Sequence, residues 1–237
     1  HNEVTYLPAG VPRIESSDAS STNYQIRTAF EPGYPVWYLL GYIYDGVDEN
    51  GNYILRDVSG DGKINSDDMT YIGKGNPDLT YGISINLSWK GFDFSLYGAG
   101  IAGNSIMPVI YRTGFKNTLK YYSEAARSDA NPNGYYPHPS KTDGKYDFWS
   151  SSANVFKGDF FRIKQMQLGY TLPRNITRKA AINDLRFYVS LDDFFTFTSY
   201  PGLDPETAST NSTSGSGLDW GSYPTMQKLI LGVNLTF

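Results

Sequence analysis

The ten residues Lys228-Leu229-Ile230-Leu231-Gly232-Val233-Asn234-Leu235-Thr236-Phe237 constrain the fold more than any other stretch of the chain. Leu229, Leu231, Val233, Leu235 and Phe237 fall at every second position, the period at which side chains of a β-strand alternate between its two faces. The intervening Lys228, Ile230, Gly232, Asn234 and Thr236 are mostly small or polar. A helix would scatter this pattern around its axis. A strand turns it into one apolar face and one face suited to water.

The same alternation recurs over residues 80–90, where Tyr81, Ile83, Ile85, Leu87 and Trp89 interleave with Thr80, Gly82, Ser84, Asn86, Ser88 and Lys90. Lys90-Gly91 is a two-residue turn signal, and Phe92, Phe94 and Leu96 then continue the pattern over 92–102, so the two runs form a hairpin. Residues 162–171 set Met166, Leu168 and Tyr170 against Gln165, Gln167 and Gly169. Residues 184–195 set Leu185, Phe187, Val189 and Leu191 against Arg186, Tyr188, Ser190 and Asp192. Strands of roughly ten residues are long enough to cross a bilayer at a tilt. Trp89 and Phe92 would then sit at the membrane interface, where aromatic rings concentrate.

Composition narrows the alternatives. Of 237 residues, 16% are aromatic and only 19% charged, and the net charge of −4 supplies no basic field for nucleic acid. The absence of cysteine excludes disulfides, thiolate metal sites and cysteine nucleophiles, and two histidines, His1 and His138, leave little for a histidine metal cluster. No apolar run reaches the length of a transmembrane helix, whereas a transmembrane barrel needs only alternation. The chain opens on His1-Asn2-Glu3-Val4 without a signal-like apolar segment, and is expected to be a processed product or a piece of a longer protein.

The links between the strands are unequal. Lys90-Gly91 and 172–183 are short, whereas 103–159 and 197–223 are long and rich in Gly, Ser, Asn, Pro and aromatics. Assigning alternate directions to successive strands puts both long links and residues 7–79 on one side and the short turns on the other, the asymmetry of outer-membrane barrels. The membrane strands are then 80–102, 162–195 and 225–237, with residues 1–6 as the top of one more. About six strands cannot close a barrel, because the smallest need eight, so the sheet must pair with further sequence. The soluble alternative is a secreted, calcium-stapled β-sandwich that binds carbohydrate, in which the apolar positions would face a core.

Asp57-Val58-Ser59-Gly60-Asp61-Gly62-Lys63-Ile64-Asn65-Ser66-Asp67-Asp68 follows the twelve-residue calcium loop. Asp57, Ser59, Asp61, Asn65 and Asp68 fall at ligand positions 1, 3, 5, 9 and 12, Lys63 would offer its backbone carbonyl, and Gly62 allows the sharp turn. Aspartate at position 12, instead of the usual glutamate, resembles a dockerin loop. The expected cofactor is a structural Ca²⁺ ion.

No catalytic constellation emerges, and the chain is not read as an enzyme. Asp192 and Asp193 are adjacent and cannot share one substrate from one strand face. His138 lies in a loop with no nearby nucleophile. The long links instead carry many rings: Trp37, Tyr38, Tyr42, Tyr44, Tyr111, Tyr121, Tyr122, Tyr135, Tyr136, Trp149, Tyr200, Trp220 and Tyr223. Flat rings that also hydrogen-bond suit sugars, peptides or a docking protein, and Trp149, Trp220 and Tyr200 are the expected ligand-binding residues.

From about Gly33 onward the chain resembles the SusC/RagA-type TonB-dependent outer-membrane transporters of Bacteroidetes. The matching pieces are Gly41-Tyr42-Ile43-Tyr44-Asp45-Gly46-Val47, the acidic loop with Ile72-Gly73 and Pro77, Tyr81-Gly82, and Phe160-Phe161-Arg162-Ile163-Lys164 with Leu168-Gly169-Tyr170-Thr171-Leu172-Pro173. Phe195 to Glu206, Tyr223-Pro224 and Leu231 to Phe237 complete them. Asp192-Asp193-Phe194 departs from the family's more usual Asn-Leu pair. The resemblance implies an all-β fold, the C-terminal portion of a transmembrane antiparallel barrel of about 22 strands with long extracellular loops. It implies nutrient import across the outer membrane, of glycan or peptide, with a SusD-like surface lipoprotein and with TonB. It further implies that the plug domain and N-terminal strands lie outside these residues, and that Phe237 is a barrel-assembly signal.

Overall fold

Wherever the alternation is longest, the backbone is extended. The computed structural model describes residues 2–16, 27–109, 126–141, 146–208 and 216–237. In chain order its strands are β1 (Ile14–Glu15), β2 (Arg27–Phe30), β3 (Tyr38–Gly41), β4 (Tyr44–Val47), β5 (Tyr53–Leu55), β6 (Thr70–Lys74), β7 (Leu79–Trp89), β8 (Phe92–Ala102), β9 (Ser105–Pro108), β10 (Phe156–Lys157), β11 (Phe160–Thr171), β12 (Asp184–Thr198), β13 (Leu218–Asp219) and β14 (Lys228–Thr236). The chain divides into two units. One comprises Leu79–Ala102, Asp159–Ser199 and Pro224–Phe237, the other His1–Asp78, Gly103–Gly158 and Tyr200–Tyr223.

The first of these units is a single antiparallel sheet in the order β14-β12-β11-β8-β7. Its tightest link is Lys90-Gly91, with φ of 47° and 86°, the two left-handed positions of a hairpin turn whose twist matches the strands. A side chain on Gly91 would also meet the Thr171 carbonyl at 2.8 Å. The link between β11 and β12 coils into a helical turn, Arg174–Thr177, and a 3₁₀ turn, Arg178–Ala180, which ends on Ala181 at φ 57°.

Register is regular except at one level, where Ile163 faces Phe195 but Gln165 faces Asp192. Lys164 alone therefore opposes Asp193 and Phe194, a bulge that places Asp193 at φ 53°. Lys164 Nζ lies 3.5 Å from Asp193 Oδ1 across it. Residues 2–6, expected as a sixth strand, do not join the sheet. Val4 N–H donates to the Tyr34 carbonyl and Gly33 N–H to the Val4 carbonyl, both at 2.9 Å, which holds this segment within the other unit.

The long links, expected as open loops, fold around a core of their own. β1-β2-β3-β6 form an antiparallel sheet, β4-β5 a hairpin, and β10-β9-β13 a small sheet in which β13 and β9 run parallel. Tyr38, Leu39, Leu40, Met107, Val109, Phe148 and Leu218 are fully buried there. Aromatic burial on this scale gives irregular chain the apolar area it needs to order.

Candidate functional site

The five-stranded sheet has two chemically opposite faces, and the registered pairs decide which residues share each. One face carries, in successive rows from β7 to β14, Trp89-Phe92-Tyr170-Phe187-Val233, Leu87-Phe94-Leu168-Val189-Leu231 and Ile85-Leu96-Met166-Leu191-Leu229. Ile83-Gly98-Ile163-Phe195 and Tyr81-Gly100-Phe161-Phe197 follow. This face is exposed: Trp89 retains 69% and Leu231 76% of its surface. A soluble β-sandwich would bury these positions, and an exposed apolar patch of this extent marks a surface that meets a partner or a membrane.

Aromatic rows bound the apolar face at both ends. At one end Phe92 and Tyr170 have ring centroids 4.4 Å apart. At the other, Tyr81 stacks on Phe161 at 5.9 Å and Phe161 on Phe197 at 6.5 Å. Those rings lie over glycines, since a Cβ on Gly98 would strike Phe161 at 2.4 Å and one on Gly100 would strike Tyr81 at 2.8 Å. Eight steps from Tyr81 to Trp89 cover about 27 Å, or about 21 Å of height at a tilt near 40°, close to the roughly 25 Å apolar band of a membrane barrel.

The opposite face is polar. Arg186 donates from Nε to Asp93 Oδ1 at 2.9 Å and forms a second bond from Nη2 to Oδ2, spanning β8 to β12 over β11. The pair fits because it passes over Gly169, where a Cβ would lie 2.4 Å from Arg186 Nη2. The Arg186 guanidinium also sits 5.0 Å from the Tyr188 ring, which in turn covers Gly232. Further along, Gln165, Asp192 and Lys228 share a row, with Ser190 Oγ donating to Asp192 Oδ1 at 2.6 Å.

In the second unit the acidic loop is tightly organised. Asp68 is fully buried and accepts from the N–H groups of Val58 at 2.9 Å, Ser59 at 3.0 Å and Asn65 at 2.8 Å. The backbone N–H of Ser59, followed by that of Asn65, holds its carboxyl below the ordinary value of 3.8. Asp57 accepts from Gly60 N–H at 2.6 Å and Gly62 N–H at 2.8 Å, and from Ser59 Oγ at 3.2 Å. Asp61 accepts from Lys63 N–H at 2.8 Å and, more distantly, from Asn65 Nδ2 at 3.4 Å. Among the described residues no group of three or more His, Cys, Asp or Glu side chains converges as a metal centre. The carboxylates of Asp57, Asp61 and Asp68 are each engaged by their own loop.

The expected ligand-binding rings have other surroundings. Trp149 is 5% exposed and packs edge-on against the fully buried Phe148 at 5.3 Å. Tyr200, also 5% exposed, donates from its hydroxyl to Asp219 Oδ2 at 2.6 Å and packs with Ile106, Phe156 and Ala208. Trp220 packs against the larger core, its Nε1 buried with no acceptor among the described residues. These are packing positions. Tyr111, Tyr121 and Tyr122 lie outside the described residues. Phe237 is exposed beyond the end of β14.

Sequence reading missed an open cleft of about 520 Å³ lined by Glu49, Arg127, Asp129, His138 and Lys141. Arg127 donates to the Asp48 carbonyl at 2.7 Å. The cleft joins a hairpin turn to a segment some eighty residues further on, a juxtaposition that periodicity cannot signal.

No protein-family model matches the chain. TonB-dependent receptor P3 of Formosa agariphila is 30% identical over 267 aligned residues, covering all of this chain and 26% of the relative. TonB-dependent receptor SusC of Bacteroides thetaiotaomicron is 26% identical over 254 residues, covering all of this chain and 23% of the relative. The chain thus spans about a quarter of the length of the curated relatives it matches. Among solved structures, the RagAB peptide transporter aligns with a TM-score of 0.75 at 24% identity, covering 99% of this chain and 25% of that one. The RagAB importer in its open-open state aligns with a TM-score of 0.74.

Proposed function

Because the chain is a stretch of a SusC/RagA-type TonB-dependent transporter of the outer membrane, we propose that it supplies part of the barrel wall and extracellular loops of a nutrient importer. The observation that carries this reading is the exposed apolar face of β7, β8, β11, β12 and β14, bounded by two aromatic rows. Residues 7–79, 103–159 and 197–223 are the extracellular segments. A SusD-like lipoprotein delivers a glycan or peptide oligomer, and TonB drives its entry through regions outside this chain. The likeness to SusC and to RagAB supports both partners.

The cleft at Arg127 and Lys141 offers charged groups to that substrate. Deleting the gene of the intact transporter should abolish growth on its cognate oligomer in a panel of glycans and peptides, and Arg127→Gln with Lys141→Gln should slow it severalfold at unchanged outer-membrane levels. Undiminished growth of the deletion strain on every oligomer would overturn the proposal.

We also propose the acidic loop as a Ca²⁺ site built from Asp57, Ser59, Asp61, Asn65 and the Lys63 carbonyl, with Asp68 as its internal brace. The spacing and the turn at Gly62, φ 80°, support this. Calcium should then raise the melting temperature of the native chain, and Asp57→Ala should remove that response. Asp68→Ala should lower the melting temperature with or without calcium, because three backbone N–H groups lose their acceptor. Since the Asp68 carboxyl is depressed in the folded state, its contribution is present above 3.8 and lost as pH falls below that value. Equal melting in calcium and in chelator would reject the metal and leave the brace.

A further inference from the structure

The short-turn end of the five-stranded sheet concentrates positive charge at one aromatic row. Lys90 occupies the β7–β8 turn, beside Trp89 and Phe92, with its Nζ 4.8 Å from the Trp89 ring. Arg174, Arg178 and Lys179 lie in the link that joins Tyr170 and Thr171 at the end of β11 to Asp184 at the start of β12. All four are exposed. Of these four, only Arg174 has a carboxylate partner among the described residues, Asp184 at 3.9 Å, with both side chains largely in solvent. The other acid nearby, Asp93, is held by Arg186. Ile176, between these cations, is exposed as well.

We propose that this collar binds the headgroups of anionic phospholipid in the leaflet that meets the short turns. The inference rests on the reading of the sheet as a membrane wall. Aromatic rows mark the interfacial level of a bilayer. The row Trp89-Phe92-Tyr170-Phe187 therefore places Lys90 and the 172–183 link at the depth of the lipid phosphates. Cations without protein carboxylates at that depth are complementary to phosphodiesters, and the exposed Ile176 and Trp89 extend the apolar contact to the acyl chains. The link itself carries three cations and no acid although the whole chain has a net charge of −4, so the charge is concentrated and not a reflection of composition.

The test uses the intact transporter in a neutral detergent, with dioleoylphosphatidylglycerol, dioleoylphosphatidylcholine and inorganic phosphate as probes, and counts bound lipid by native mass spectrometry. The native protein should prefer the anionic lipid, and Lys90→Gln, Arg178→Gln and Lys179→Gln should each reduce that preference by about fivefold at low salt. Raising salt should erode the preference of the native protein in the same direction, a readout independent of whether a variant folds. Equal preference in the native protein and in all three variants, or displacement of the lipid by phosphate alone, would overturn the proposal. Failure of the membrane reading would look different: neither lipid would bind and the protein would stay soluble without detergent.

Discussion

Leu168→Arg should impair membrane assembly of the transporter, whereas Gln167→Arg, one residue away, should be tolerated. Leu168 sits in the central strand β11, in a row between Phe94 and Val189, and presents 48% of its surface on the apolar face. Gln167 faces the other way, between Ser95 and Ser190. An arginine on the lipid face costs about 2–4 kcal/mol at the bilayer midplane and about 0–1 near the interfaces, so at Leu168, one row in from the aromatic row of Tyr170, the cost is about 1–2 kcal/mol, whereas a substitution on the lumen side costs little. That is a large share of the marginal stability of a folded protein. The measurement is the folded fraction of each variant in phospholipid vesicles across a urea titration, supported by its recovery from the outer membrane. Similar losses for the two variants would mean that the faces are not divided between lipid and water.

This contrast also shows what the sequence made legible. A period of two survives any tertiary context, because the pleat alone imposes it, so β7, β11, β12 and β14 and their faces could be read from the residues. The pattern fades in β8 after Leu96, where Gly98 and Gly100 occupy apolar positions. The structure explains the gap, since Phe161 and Tyr81 from the neighbouring strands cover them. Such a pairing is set by register and leaves no local trace. The bulge at Lys164 and Asp193 was hidden for the same reason: its extra residue is defined only against a partner strand.

The second unit was harder to read because its order comes from distant contacts. Tyr44 N–H donates to Ser152 Oγ, and the Tyr53 hydroxyl to Asp147, across some hundred residues of chain. Burial, with Asp147 adding to it, pushes the Tyr53 hydroxyl well above its ordinary value, as befits a ring used for packing. In the acidic loop the spacing was legible but the division of labour was not. Only the structure shows that the position-12 carboxylate is spent on three backbone N–H groups.

Among the described residues, the buried rings of the long links pack a core, and Trp149 offers the sharpest test of that role. It lies against Phe148, which packs in turn on Tyr44 at 5.8 Å and Tyr53 at 5.4 Å, so its removal would open the middle of the core. Trp149→Ala should cost about 3–5 kcal/mol, the range for deleting a buried aromatic side chain. Because local opening is governed by the stability of the unit that opens, amide exchange in Tyr38–Gly41 and Thr70–Lys74 should accelerate by a factor of roughly 10²–10³ or more, with β11 and β12 unaffected. Tyr223→Ala, at a ring 77% exposed, should leave the same amides protected. A Trp149 variant that loses uptake while every amide keeps its protection would return this residue to the ligand surface and refute its role in the core.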